Sequence, residues 1–315
     1  MDVLMGYFGL PALFGSTYFA SSLNVLFFYM TWMTLVMSHP PLGIELLGSL
    51  VVRIIFYWMP TLLFILLELG MPGTSGDLKT RRGKRITADV LLSVGLITVM
   101  NQVIATGIQG LVYTLFTYIF TPKYPLFNIA TTLPMPWNIV KHTLMVLSLR
   151  EILTYSIHRF LLHDSKHFPR LSRFHTVNHR YADSPCFSLK AHYAHPLDYV
   201  LLQVIPFYLP AYLFRIHLLT FFFILAIVSL ESAIIYSGYE IFWGLLGGAV
   251  RRIDRHHSPD GESRDFGIWG IIDWSAGTAG GKSRSEEGGA IDLDEELLKE
   301  LQKRMTKLKK KVNSS

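Results

Sequence analysis

The chain has 315 residues, half of them hydrophobic and only 17% charged, with a formal net charge of +6 and a mean hydropathy of +0.34. Soluble domains usually carry about 25% charged residues, so this deficit, together with long apolar runs, excludes an ordinary soluble enzyme and points to the membrane class. The single cysteine, Cys186, excludes an intrachain disulfide framework and a thiolate metal site; the basic residues gather beside apolar segments and near the C-terminus, which speaks against a nucleic-acid partner.

The opening residues, MDVLMGYFGLPALFG, lack the basic region of a secretory signal, so the first span is expected to stay in the mature protein. Apolar stretches of spanning or hairpin length then follow. Tyr18 to Met37 is the first, and Glu45 to Leu69 the second, interrupted by Arg53. Val90 to Phe120 exceeds the roughly 20 residues a span needs. It carries Asn101, Gln102 and Gln109 and is expected to tilt, kink or divide in two. Trp137 to Ile157 holds Lys141, His142, Arg150 and Glu151. Leu201 to Phe214 and Ile216 to Tyr236 form a pair broken by Pro206, Pro210 and Arg215, read as two spans or as a hairpin that dips in and returns. The linker after the second stretch carries Lys79, Arg81, Arg82, Lys84 and Arg85, whereas the one after the third has only Lys123. The positive-inside bias therefore puts the first linker, and everything from about His158 onward, on the cytosolic side. Gly277 to Gly289 reads as a flexible linker, and Asp292 to Val312 as a charged amphipathic tail.

Seven of the 12 histidines fall between His158 and His195, and His256 and His257 follow later. His175 and His179 are four apart, so on a helix they share one face, as metal-ligand pairs do; His163 and His167 share that spacing. His158 and His163 are five apart, about 140° around a straight helix, which suits a bent helix end or two different metals. Imidazole serves Fe, Zn, Cu and Ni alike, so the ligands alone do not name the ion. The lone His39, His142 and His217 read as polar anchors at the membrane interface. The clustered set reads as a metal site, because grouped imidazoles repel when protonated and lose hydration when buried.

These residues resemble the fatty acid hydroxylase/sterol desaturase superfamily of membrane enzymes, over Trp137 to Thr278. HRFLLH resembles its first histidine box (His158, His163), and FHTVNHRY its second (His175, His179). AHYAHPLDY resembles the stretch that follows, with His195 and Asp198, and YSGYEI resembles a further "HSGY" motif. IDRHHSPDGESRDFGIWGIIDWSAGT resembles the third box and its tail, with His256, His257, Phe266, Gly267, Asp273, Gly277 and Thr278. Three positions depart from the pattern: Asn178, Tyr236 and Ile253 stand where the family has histidine. The resemblance implies an all-α, multi-pass membrane protein with a cytosolic, helical, histidine-rich cap. Residues 1–136 would be an N-terminal transmembrane region, 137–280 the histidine-box region and 281–315 a linker and tail. It implies metal ligation by His158, His163, His175, His179, His256 and His257, with His192, His195, His167, Asn178 and Tyr236 as further candidates. It implies two iron ions and dioxygen, used to hydroxylate, demethylate or desaturate a lipid, sterol or terpenoid-like substrate in the endoplasmic reticulum membrane. Electrons would come from a separate donor such as cytochrome b5 and its reductase. A diverged member with fewer metals, acting as a non-redox enzyme or as a lipid-binding partner, is the alternative.

Overall fold

A computed structural model describes residues 23–81, 87–120, 126–177, 179, 184, 186–242, 244–258 and 264–280. The charged tail, Asn178 and most of the basic linker lie outside these residues. Every regular element among the described residues is helical. Helix α1 (Leu23–Ser38) leads into α2 (Pro41–Gly70), a short α3 (Pro72–Asp77) and α4 (Ala88–Phe120). Helix α5 (Pro136–Ile157) leads into the first histidines, α6 (Pro169–His175) carries His175 at its end, and α7 (196–213) doubles back into α8 (Leu218–Ile235). Helix α9 (Gly244–His256) and the short α10 (Ile271–Ser275) complete the cap.

Helices α2, α4 and α8 are long and apolar enough to cross a membrane. Their burial differs in a way that sets the architecture. Only 17% of the apolar window of α2 and 28% of that of α4 is buried, against 61% for α8. Leu63 and Leu66 on α2, and Leu92, Leu96 and Val103 on α4, point outward, as lipid-facing side chains do. Helix α8 runs through the middle, where Phe221, Ile224 and Leu225 meet Phe207 and Tyr208 of α7 and Val146 of α5. Polar side chains of the spans turn inward. Arg53 donates to the Tyr208 hydroxyl (2.7 Å), Tyr208 to Gln109 Oε1 (2.9 Å), and Gln109 to Glu45 (2.9 Å).

The third apolar stretch neither breaks nor divides: α4 is one helix of 33 residues. Its polar residues contribute to this, since Asn101 donates to the carbonyls of His192 and Ala194 and Thr98 to that of Leu189, binding one turn of the helix to the cap. The pair 201–236 is a short limb and a long one. The helix over Ile205–Leu213 is too short to cross a bilayer, the chain reverses at Arg215 with a φ of 46°, and His217 caps α8 by accepting from the Leu219 amide.

Three helices contain a turn closed by an i→i+5 hydrogen bond, at Ile54–Trp58, His158–Leu162 and Val200–Val204. Pro60 and Pro206 follow two of them; proline has no N–H to give and disrupts the regular ladder. No proline follows the turn at His158, and such widened turns gather at functional sites.

The start of the basic linker packs on the cap. Lys79 donates to the Cys186 carbonyl, Thr80 to Asp254, and Arg81 to the Ser184 carbonyl. Lys79 to Arg81 and the histidines therefore sit at one end of the bundle. Phe127 and Asn128, before α5, sit at the other, against the start of α8.

Candidate metal centre and its cavity

The i→i+5 turn solves the spacing problem posed by the first two histidines. His163 N–H donates to the His158 carbonyl (3.1 Å), and widening the turn swings both rings to one side, with centroids 5.0 Å apart. Helix α6 delivers His175, and the turn after it His179; their rings lie 5.1 Å apart. Helix α9 ends in His256 and His257, and His256 stands 4.6 Å from the His158 ring and 5.1 Å from those of His163 and His179. His257 stacks on His179 at 5.1 Å. One ring nitrogen from each of His158, His163, His175 and His256 lies within 4.8 Å of all the others.

Each ring is aimed by what its other nitrogen touches. His158 Nδ1 faces the Phe266 carbonyl (2.8 Å), His256 Nδ1 the Arg264 carbonyl (2.6 Å) and His257 Nδ1 the Ile253 carbonyl (2.9 Å). His175 Nδ1 faces the buried carboxylate of Asp198 (3.1 Å). All four partners can only accept, so the proton sits on Nδ1 and the Nε2 atoms carry lone pairs. This is how ligating histidines are oriented in metal sites.

Those lone pairs face one another. His158 Nε2 lies 3.1 Å from His175 Nε2, and His179 Nε2 3.3 Å from the same atom. Nε2 of His163 and of His256 is buried with no hydrogen-bond partner. Two nitrogens bound to one ion at about 2.0–2.1 Å stand roughly 2.9–3.4 Å apart when the angle at the ion is near 90–109°. The two close pairs therefore match the spacing of nitrogens that share a cation, and converging imidazoles suit a transition metal better than Mg or Ca. Burial, reinforced by the neighbouring rings, holds His158 and His257 well below the ordinary histidine range. The same causes bring His163 and His179 down to about 2, and burial brings His256 down to about 4. These five rings are thus neutral, as ligation requires.

A loop between α9 and α10 fixes the backbone carbonyl behind His158. Asp273 accepts from the Phe266 and Gly267 amides (2.9 and 2.7 Å), and Glu151 of α5 from those of Ile268 and Trp269 (3.2 and 3.0 Å). A Cβ on Gly267 would stand 2.7 Å from Glu151 Oε1 and 2.8 Å from Asp273 Oδ2, so only glycine fits. Glu151 and the three backbone carbonyls were not legible as site residues: a carboxylate on an apolar helix carries no spacing signal, and a carbonyl none at all.

The other candidates lie elsewhere. His167 is exposed and pairs with Asp164. His195 stacks on Phe174 (4.0 Å) and caps α7 by accepting from the Leu197 amide. His192 packs edge-on against Tyr57 and Tyr199. Tyr236 stands 5.7 Å from the His257 ring, and burial pushes its phenol above the ordinary range. A cavity of about 560 Å³, counting the space at its mouth, opens beside the cluster. His158, His175, His257, Tyr236 and Ile253 line it together with Arg150 and Thr154 of α5, Gln203 of α7 and Glu231 of α8.

Residues 143–278 match the family model described as fatty acid hydroxylase. The C-4 methylsterol oxidase erg25 of Schizosaccharomyces pombe is 27% identical over 173 residues, 49% of this chain and 54% of that protein. Methylsterol monooxygenase 1-2 of Arabidopsis thaliana is 27% identical over 202 residues, 61% of this chain and 62% of that protein. The chain thus matches between about half and two thirds of the length of these relatives. No solved structure matches it significantly.

Proposed function

We propose that this chain, which belongs to the fatty acid hydroxylase/sterol desaturase superfamily, is a membrane oxygenase that oxidises a methyl group of a sterol or a related lipid at a non-haem iron centre. The observation that supports this reading is the facing Nε2 atoms of His158 and His175, 3.1 Å apart, whose Nδ1 atoms are held by the Phe266 carbonyl and the Asp198 carboxylate. His158, His163, His175 and His256 would hold the ion, with His179 and His257 beside them. When bound, iron supplies the activation of dioxygen. The overall reaction joins a substrate C–H, O2, two electrons and two protons to give the alcohol and water.

The chain's own residues do the rest. Asp198 and the Phe266 and Arg264 carbonyls keep the imidazoles in the ligating tautomer. Leu202, Ile235, Ile253, Phe266 and Ile268 wall the cavity with apolar surface that excludes bulk water. The cavity lies where the membrane helices meet the cap, so a lipid enters sideways from the bilayer while a protein reductant approaches the cap. Cytochrome b5 with its reductase fits that role; the basic linker supports a cap on the cytosolic face by the positive-inside bias, and the family resemblance supports the endoplasmic reticulum as its membrane. Detergent-purified chain prepared with iron under reducing conditions should contain iron and, with reductase, cytochrome b5, NADH and O2, convert a 4-methylsterol to its hydroxymethyl product. Iron-free protein after such preparation would overturn the reading. It would favour the alternative of a diverged, non-redox or lipid-binding member, for which the isoleucine at 253 is the supporting observation.

A further inference from the structure

Two buried oxygens in the cavity beside the histidines have no hydrogen-bond partner: Glu231 Oε1 and Thr154 Oγ1. Both residues are buried, at 4% and 6% exposure. A buried polar atom without a partner forfeits its hydration for nothing in return, so the pair asks for a ligand. Arg150 Nη1 donates to Glu231 Oε2 at 2.7 Å. This fixes the carboxylate and leaves Oε1 as an acceptor over the cavity. Thr154 offers a hydroxyl that can donate. Leu202, Ile235, Ile253, Phe266 and Ile268 line the same cavity with apolar surface. An unpaired acceptor and an unpaired donor beside these apolar side chains describe the place of an alcohol on a hydrocarbon body. A carboxylate ligand is disfavoured, because Glu231 would repel it.

Position adds a second constraint. Thr154 lies four residues before His158 on the same helix, so the two side chains stand on one face, their Cβ atoms roughly 5–6 Å apart. A hydroxyl held by Thr154 therefore sits one helical turn from a ring of the centre, and the carbon presented to that centre is a near neighbour of the carbinol carbon. A fatty acyl chain oxidised far from its head group does not meet this geometry.

We propose that Glu231 and Thr154 form an alcohol subsite, Glu231 Oε1 accepting the substrate's hydroxyl proton and Thr154 Oγ1 donating to its oxygen. They are specificity-determining residues for lipid alcohols oxidised close to the carbinol. The proposal rests on the cavity being the substrate site of the oxygenase reading. It is tested by equilibrium binding, which needs no turnover: full-length protein in nanodiscs is titrated with a radiolabelled 4-methylsterol and with the same steroid lacking its hydroxyl. Wild-type protein should bind the alcohol at least roughly tenfold more tightly, in line with a hydrogen bond to a charged group. Thr154→Val should cut that preference several-fold, and Glu231→Gln, which keeps the size and the contact with Arg150, should cut it further. Equal binding of the two steroids by wild-type protein overturns the subsite, as does a Thr154→Val variant with undiminished preference. Either result leaves the oxygenase reading standing if the 4-methylsterol is still oxidised. Iron-loaded protein that prefers the alcohol yet never oxidises it sinks the oxygenase reading and supports the subsite.

Discussion

Removing the carboxylate behind His175 should weaken metal binding without unfolding the site. Asp198 is 1% exposed and His175 3%, and the carboxylate oxygens lie 3.1 and 3.3 Å from Nδ1. In Asp198→Asn the side chain keeps its size but can present an N–H₂ group to the ring, which favours the tautomer with the proton on Nε2. A protonated Nε2 has no lone pair for an ion. The lost hydrogen bond to a charged group is worth about 1.5–3 kcal/mol, or roughly 10- to 100-fold in affinity at 1.4 kcal/mol per decade. That matches the usual cost of removing a residue that orients a ligand. Competition with a chromogenic chelator, using Fe(II) or Co(II) on purified protein, reads this directly. His167→Ala is the control, since that side chain is exposed and outside the cluster. If Asp198→Asn binds within twofold of wild type, His175 is not oriented for ligation by Asp198, and the argument from its tautomer fails.

Gly267→Ala should lose about 1–3 kcal/mol of stability, because its Cβ would press on Glu151 and Asp273. It should also weaken metal binding by moving the Phe266 carbonyl, as thermal melting with and without metal will show. Metal-free protein should lose stability in acid. His163 and His179 have folded values of about 2 and His256 of about 4, against an ordinary value near 6.5. The native state therefore binds fewer protons than the unfolded chain, so the contribution is intact above pH 6.5 and is lost as pH falls below it. A melting temperature flat from pH 8 to 5 would contradict this. His192→Ala and His195→Ala should leave metal content near wild type while His175→Ala removes it, measured as metal-to-protein ratio.

Much of this was legible because periodicity and spacing survive folding. The apolar lengths of α2 and α8 located spans, and His175 and His179, four apart, meet as a helical face and the turn after it allow. The five-residue step from His158 to His163 fitted a regular helix poorly, and the structure resolves it with an i→i+5 turn that residue types do not announce. The sequence left α4 to tilt, kink or divide, because its length and its Asn101, Gln102 and Gln109 fit all three; that it stays one helix is explained by Asn101 and Thr98, which fasten it to backbone carbonyls of the cap. Glu231 and Thr154 were invisible for a related reason. An acid or a threonine inside an apolar run acquires meaning only when the fold shows what it faces.

The altered positions fall unevenly across the centre, and this sets how it should fill. His158, His175 and His256 each have Nδ1 held by a carbonyl or carboxylate, and with His163 they bring four nitrogens within 4.8 Å. On the side of His179 and His257 the support thins. His179 Nδ1 is buried without a partner, and Ile253, 6% exposed, packs with Cys186, Ile235 and Ala249 as cavity wall. Only the Ile253 carbonyl serves the centre, by accepting from His257. A first ion should therefore bind tightly at the four-nitrogen set and a second only weakly, where two imidazoles must be completed by water. Calorimetric titration of metal-free protein with Co(II) should resolve two steps, and Ile253→His should tighten the second while leaving the first nearly unchanged. Two equally tight ions in the wild type would show that the side bearing Ile253 has recruited ligands this arrangement does not provide.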